Sequence, residues 1–358
     1  VVATARAPSA VVAPRNAASR GPSSSGRRDA HAPRSSRERR AWARASSSGV
    51  DISLTTVLPA LQPWAEARVQ KCSGAWKKAA ALTKNPPIVM VDLVPESKDD
   101  EDSLSGHVER ENNSKKPKKK GPFETEFGAF IYDKGYRQLF RALGYPGADA
   151  EATLALERLN MEENAASDSV LLDISCGPGI ITTRIAAGLV GYRTLIASDV
   201  SEAMTKRAAE QLDMLAATTT VLKQRDPTTQ SLPQFAAVRA DVSCLPFADA
   251  SVDAVHSSAG AHCWPNPNKG FLEITRVLKP GGTFVASTVV LAGPIREKYL
   301  ENETVKDGDE YFRKIWDVNT PFWDADAVVQ MLENAGLVDV EVVREDKCFV
   351  MLAARKRG

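Results

Sequence analysis

Hydrophobic and polar positions follow two alternating periods along most of this chain. Five apolar runs of strand length stand out: Val170–Asp173, Thr194–Ser198, Ala236–Ala240, Ser251–Ser257 and Thr283–Val290. Between them, apolar residues recur three and four positions apart, the helical period. Ile181, Ile185 and Leu189 form one such stripe. Met204, Ala208, Leu212 and Leu215 form a second behind a capping Ser201, and Phe271, Ile274 and Leu278 a third that stops at Pro280-Gly281-Gly282. A helix capped by Asp324 ends at Gly336, and two closing runs follow at Val338–Arg344 and Cys348–Ala354. The short connection Glu345-Asp346-Lys347 suits a hairpin. This alternation predicts an α/β fold. It is a doubly wound, mostly parallel seven-stranded sheet with helices on both faces and an antiparallel C-terminal edge strand.

The pattern begins late. Phe123–Gly144 carries Phe127, Phe130, Ile131, Leu139, Phe140 and Leu143, an amphipathic helix pair leading into the first strand, with Tyr132 and Tyr136 as candidate pocket residues. The ordered domain is therefore expected over 123–358. Residues 50–122 hold Leu61, Trp64, Val69, Trp76 and Leu82, enough for one or two weak helices. Blocks of charge follow at Lys98–Asp102 and Lys115–Lys120, the pattern of a solvated linker. The chain starts with Val1 rather than Met and is expected to be a fragment or the product of a trimmed gene model.

Composition changes the picture mainly at the N-terminus. The 358 residues are 43% hydrophobic and 25% charged with a net charge of only +1, yet residues 1–49 hold ten arginines, no lysine and just two acids, Asp29 and Glu38. Crowded with Ala and Ser, that segment cannot bury enough surface to offset its ordering entropy, so disorder is expected. Arg- and Ser-rich, acid-poor N-termini characterise organelle transit peptides. No run reaches the ~18 apolar residues of a membrane-spanning helix, so a soluble or lipid-peripheral protein is expected. The five cysteines show no C-x-x-C pair, and no metal site is predicted. The lysine block 115–120 is answered by acids upstream, which argues against nucleic acid as a partner.

The richest stretch is Val170–Ile180. An apolar run ends in Asp173, and a small-residue loop, Ser175-Cys176-Gly177-Pro178-Gly179, opens directly onto a helix. Strand, tight turn and helix together let a ligand lie on bare backbone. Asp199 ends the next run, where nucleotide-binding folds place the carboxylate that holds two ribose hydroxyls. A dinucleotide fingerprint fits poorly, because its third glycine position is Thr182, and no Gly-Lys-Ser/Thr of a P-loop follows. An acid ahead of the glycines would repel a pyrophosphate but welcome a cofactor with a cationic amino-acid end, such as S-adenosylmethionine. The remaining strand ends complete the list. Val200 follows Asp199, Asp241 can take an adenine amino group while Val242 packs on the ring, and Ser257 ends the fourth run.

These segments, DISCGPG, SDVSEAM, ADVSCLPFADASVDAVHSSAGAHCW and EITRVLKPGGTF, resemble the class I S-adenosylmethionine-dependent methyltransferases. Within that class the branch with the ubiquinone and menaquinone biosynthesis enzymes is similar, and the methyltransferases of plant chloroplast plastoglobules more so. The latter share Ser at the first glycine position (Ser175 here) and the His-Cys-Trp-Pro segment at His262–Pro265. They also carry an upstream Cys-Pro-x-Cys stretch, of which only Cys72 has a counterpart here. The resemblance covers about Phe123–Lys356. It implies methyl transfer from S-adenosylmethionine to a small lipophilic, quinone- or prenyl-lipid-like acceptor, in the chloroplast at plastoglobules or in the stroma. It also implies a cofactor cradle of Asp173, Ser175, Cys176, Gly177, Gly179, Asp199, Val200, Asp241, Val242 and Ser257. His262, at the rim after the fourth strand, is the candidate general base, a satisfied structural histidine being the competing reading. The aromatic-rich stretch 292–323, with Tyr299, Tyr311, Phe312, Trp316, Phe322 and Trp323, is the candidate substrate cap. Two other readings stay open: a non-catalytic cofactor-binding regulator or scaffold, and a nucleic-acid methyltransferase.

Overall fold

A computed structural model of the chain describes residues 57–66, 88–94, 140–160, 169–290 and 324–358. The expected transit segment 1–49, the lysine block 115–120, most of the leading helix pair with Tyr132 and Tyr136, and the cap 292–323 lie outside the described residues.

The apolar runs become strands of a single sheet. In chain order the elements are β1 (Val89–Asp92), α1 (Ala148–Leu159), β2 (Val170–Ile174), α2 (Ile180–Gly188), β3 (Thr194–Asp199), α3 (Glu202–Arg225), β4 (Gln234–Arg239), β5 (Val252–Ser258), α4 (Pro267–Val277), β6 (Leu278–Val289), α5 (Ala325–Asn334), β7 (Leu337–Asp346) and β8 (Phe349–Lys356). Single 3-10 turns lie at Phe140–Leu143 and Ala261–Cys263. The strands lie in the order β1-β4-β3-β2-β5-β6-β8-β7. All neighbours from β1 to β6 pair in parallel, while β8 runs antiparallel to both β6 and β7. The winding reverses between β2 and β5. That places a crevice at their carboxyl ends, the position where open α/β sheets bind ligands.

Burial on both faces explains why these strands read as continuous apolar runs rather than alternating ones. Every residue of β2 is buried. On one face Leu171, Leu195, Ala197, Ala237 and Val285 pack against Ala152 and Ala155 of α1, Ile181 and Ile185 of α2, and Ala208 and Leu212 of α3. On the other, Leu172, Ile174, Val238, Val255 and Phe284 meet Phe271 and Ile274 of α4 and Val328 and Leu332 of α5. Each buried Leu, Ile, Val or Phe among them contributes roughly 1.5–3 kcal/mol by leaving water. The predicted caps form: Ser201 Oγ accepts from Met204 N, and Asp324 Oδ1 from Ala327 N.

The sheet has eight strands, not seven. The extra one, β1, lies inside the segment expected to be weakly helical and linker. It pairs in register with β4 from Val89↔Ala236 to Asp92↔Arg239. Ile88 and Met90 bury on one face and Val91 and Leu93 on the other. Residues 57–66 cover it, with Val57, Leu58 and Ala65 joining the same core and Ala248 N donating to Ala60 O. Flanking charge had masked this strand. Four residues need only one paired edge and one packed face, and neither is visible in composition.

Candidate active site

Asp173, next to the last residue of β2, is buried, with two partners. Thr182 Oγ1 of α2 donates to its Oδ2 at 2.6 Å, and His256 Nδ1, directly opposite on β5, lies 2.7 Å from its Oδ1. Both carboxylate oxygens of Asp173 are thus engaged within the protein, behind the loop. His256, read from sequence as a core residue, is buried as expected, but as the partner of that acid. Its Nε2 is buried with no partner among the described residues.

The loop after β2 is held by backbone and by Asp199. Cys176 N donates to Ser198 O, Gly177 N to Asp199 Oδ2 at 2.9 Å, and Gly179 N to Cys176 O. Gly179 (φ 85°) caps α2, and a Cβ there would stand 3.0 Å from the Ala208 Cα of α3, so the two helices approach only because it has none. Cys176 is half-buried, and burial, then the charges of Asp199 and Asp173, push its thiol well up, leaving it protonated and poorly nucleophilic.

Ser175 occupies the left-handed region at φ 51°, a conformation that costs a non-glycine residue ~1 kcal/mol. Its hydroxyl accepts from the Trp264 indole N–H at 2.9 Å, a bond worth about as much. Trp264 packs edge-on against Phe271, and Phe271 against Phe284.

Asp199, at the end of β3, accepts from Ser201 N through Oδ1 at 2.8 Å while Oδ2 holds the loop. Burial pushes its carboxyl up to about 6, the backbone N–H bonds of Ser201 and Gly177 opposing that and the charge of Asp173 adding to it. Val200 beside it is exposed, and its carbonyl accepts from Arg239 Nε, whose Nη1 also pairs with Asp92 of β1. Asp241 Oδ1 accepts from Ser243 N, which turns the chain after β4, and Val242 packs partly buried beside Trp264 and Gly270.

Ser257 and His262 complete the rim. Ser257 Oγ is buried with no partner among the described residues, and it lies 2.8 Å from where a Cβ on Gly260 would be. His262, on the turn after β5, is also buried. Its Nδ1 and its backbone N each lie 3.2 Å from Thr288 Oγ1 of β6, and burial lowers its pKa to about 4, so the ring is neutral at physiological pH. Sequence reasoning missed Glu151 in the first turn of α1. It is fully buried, with Ser258 Oγ and Ser287 Oγ each donating to its Oε1 at 2.6 Å. A helix-start acid reads as surface charge, and its partners are over a hundred residues away. No group of three or more potential ligands among the described residues could hold a metal ion.

The glycine loop after β2 thus stands beside the carboxylate that ends the adjacent strand β3, with Val200 exposed next to that carboxylate and an unpaired buried hydroxyl at Ser257. That donor set fits S-adenosylmethionine. Asp199 would take the ribose hydroxyls, Val200, Asp241 and Val242 the adenine, and the Ser175–Gly179 backbone with Ser257 the amino-acid end. A sequence profile of the methyltransferase domain matches residues 172–286. An uncharacterized chloroplastic methyltransferase of Arabidopsis thaliana is 34% identical over 252 residues, 68% of this chain and 62% of that protein. A second from the same plant is 32% identical over 238 residues, 65% of this chain and 60% of that protein. A malonyl-[acyl-carrier protein] O-methyltransferase of Methylovorus is 31% identical over 228 residues, 60% of this chain and 68% of that protein. The chain spans about three fifths of the length of the two plant relatives.

Proposed function

The chain belongs to the S-adenosylmethionine-dependent methyltransferases, and on that premise we propose that it methylates a small lipophilic acceptor of the quinone or prenyl-lipid type in the plastid. The observation that best supports the cofactor reading is the bond from Gly177 N to Asp199 Oδ2, which locks the glycine loop against the carboxylate that would hold the ribose. The plastid follows from the chloroplastic relatives and the Arg- and Ser-rich N-terminus. Support for a lipid-like acceptor comes from the resemblance to quinone-methylating enzymes and from the acyl-carrier substrate named for the Methylovorus relative.

Bound S-adenosylmethionine supplies a methyl group on a sulfonium, and transfer to a nucleophile disperses positive charge in an in-line displacement. The protein's main task is then orientation, holding the acceptor atom near ~3 Å from the methyl. Asp199 and the loop would fix the cofactor's two ends, and Asp173 braces the loop from behind through Thr182 and His256. His262 is in its basic form throughout the physiological range, but its low proton affinity makes it a weak base.

The test is incubation of the purified chain with methyl-labelled S-adenosylmethionine and plastid lipid extract. Label in a chloroform-soluble product supports the proposal, and label only in water-soluble molecules or protein rules out the substrate class. Cofactor binding without turnover on any extract would favour a non-catalytic regulator.

A further inference from the structure

Ser175 stands where the loop would be expected to carry its first glycine, and its side chain is gripped twice by the segment that follows β5. Its hydroxyl accepts from the Trp264 indole N–H at 2.9 Å. Its Cβ would lie only 2.7 Å from a Cβ at position 260, so it packs on the bare backbone of Gly260. Between those two contacts lies the turn Ala261–Cys263 that carries His262, closed by Cys263 N to Gly260 O at 2.9 Å and Trp264 N to Ala261 O at 3.2 Å. The ring of Trp264 is itself fixed. It stacks edge-on with Phe271 at 5.3 Å, and a Cβ on Gly270 would approach it to 2.7 Å. Neither the loop nor the turn can shift without the other losing a contact.

We propose that Ser175 and Trp264 form a latch coupling the cofactor loop to the acceptor-side turn, so that the cofactor's affinity depends on a side chain of that turn. This rests on the cofactor reading of the loop given above. The coupling has a physical cause. Ser175 holds a left-handed backbone conformation, and the bond from Trp264 to its hydroxyl helps keep the loop that the cofactor would lie against in that shape. Ser175 and Trp264 are positioning residues. Trp264 acts on the cofactor only through Ser175.

The experiment uses the full chain and S-adenosylhomocysteine as the probe, with calorimetry and tryptophan fluorescence. Trp264→Phe keeps an aromatic ring on Phe271 and removes only the N–H, while Ser175→Ala removes the hydroxyl and keeps the Cβ. Each should weaken binding about five- to tenfold, and the double variant should be no weaker than either alone, because one interaction is lost in all three. The fluorescence change that the probe causes in wild type should shrink in Ser175→Ala, which keeps every tryptophan. Additive losses, or unchanged affinity in both single variants, would overturn the latch. Should Trp264→Phe fail to fold, unchanged affinity in Ser175→Ala overturns it alone. Wild-type chain that binds no probe would sink the cofactor reading and the latch with it, whereas binding that the variants leave unaltered sinks only the latch.

Discussion

Asp173 Oδ1 and His256 Nδ1 lie 2.7 Å apart on register-paired residues of adjacent parallel strands, with both residues sealed from solvent. The acid that precedes the glycine loop is therefore a buried anchor before it is a ligand-binding group. It ties β5 and, through Thr182, the first turn of α2 to the end of β2. Removing one member leaves the others with unmet hydrogen bonds in a low-dielectric interior.

Asp173→Ala should therefore cost about 3 kcal/mol of stability, since it strips the partners from a buried histidine and a buried hydroxyl. Urea unfolding followed by circular dichroism checks this. A loss below ~1 kcal/mol would show that water repairs the gap.

Asp199 makes cofactor binding pH-dependent. Its carboxyl titrates at about 6 in the fold against an ordinary 3.8, and ribose hydroxyls need the ionised form as acceptor. Affinity should hold at pH 7–8 and fall as pH drops through 6, by up to roughly tenfold per unit. The sign for stability is opposite. Burial disfavours the charge, so this group's stabilising contribution is present below about pH 4 and is lost as pH rises through about 6. Calorimetry across pH 5–8 measures the first effect. Asp199→Asn should lose at least tenfold in affinity at pH 7.5 and flatten the profile.

With His262 titrating at about 4, turnover should show no histidine inflection between pH 6 and 8. His262→Asn should lower kcat by roughly 10²-fold if the imidazole takes the acceptor's proton and leave the affinity for S-adenosylhomocysteine within about twofold. Pre-steady-state methyl transfer measures the first, calorimetry the second. An unchanged kcat would assign His262 to structure alone, through Thr288.

Gly260→Ala places a methyl 2.7 Å from Ser175 Cβ and 2.8 Å from Ser257 Oγ. Overpacking of this kind costs about 1–3 kcal/mol. Thermal unfolding should register it, and weaker cofactor binding should accompany it. Ser175→Gly in the same chain should restore part of the stability by removing one of the two clashing atoms.

The alternation of apolar runs and helical stripes was enough to read the α/β class and seven of the eight strands, because strands buried on both faces leave long apolar runs. The caps at Ser201 and Asp324 were legible for the same local reason: a helix start needs an acceptor three residues before a free N–H. The carboxylates Asp173 and Asp199 announced themselves by standing at strand ends beside a glycine loop. Strand β1 did not, since its four residues gain their stability from β4, nearly 150 positions away, and from residues 57–66.

What the chain carries in its own order is therefore the fold class, the cofactor loop and the family, since each depends on neighbours within a few residues or on period. Tertiary structure alone decided which polar groups meet. It sealed Asp173 against His256 rather than leaving it open, set Glu151 under Ser258 and Ser287, hung Val200 on Arg239 and so on β1, and gave Ser175 its indole partner. These pairs join residues up to about 150 positions apart. Burial is what forces each hydroxyl, carboxylate and ring nitrogen to find a partner, and no periodicity in the sequence records which one it will be.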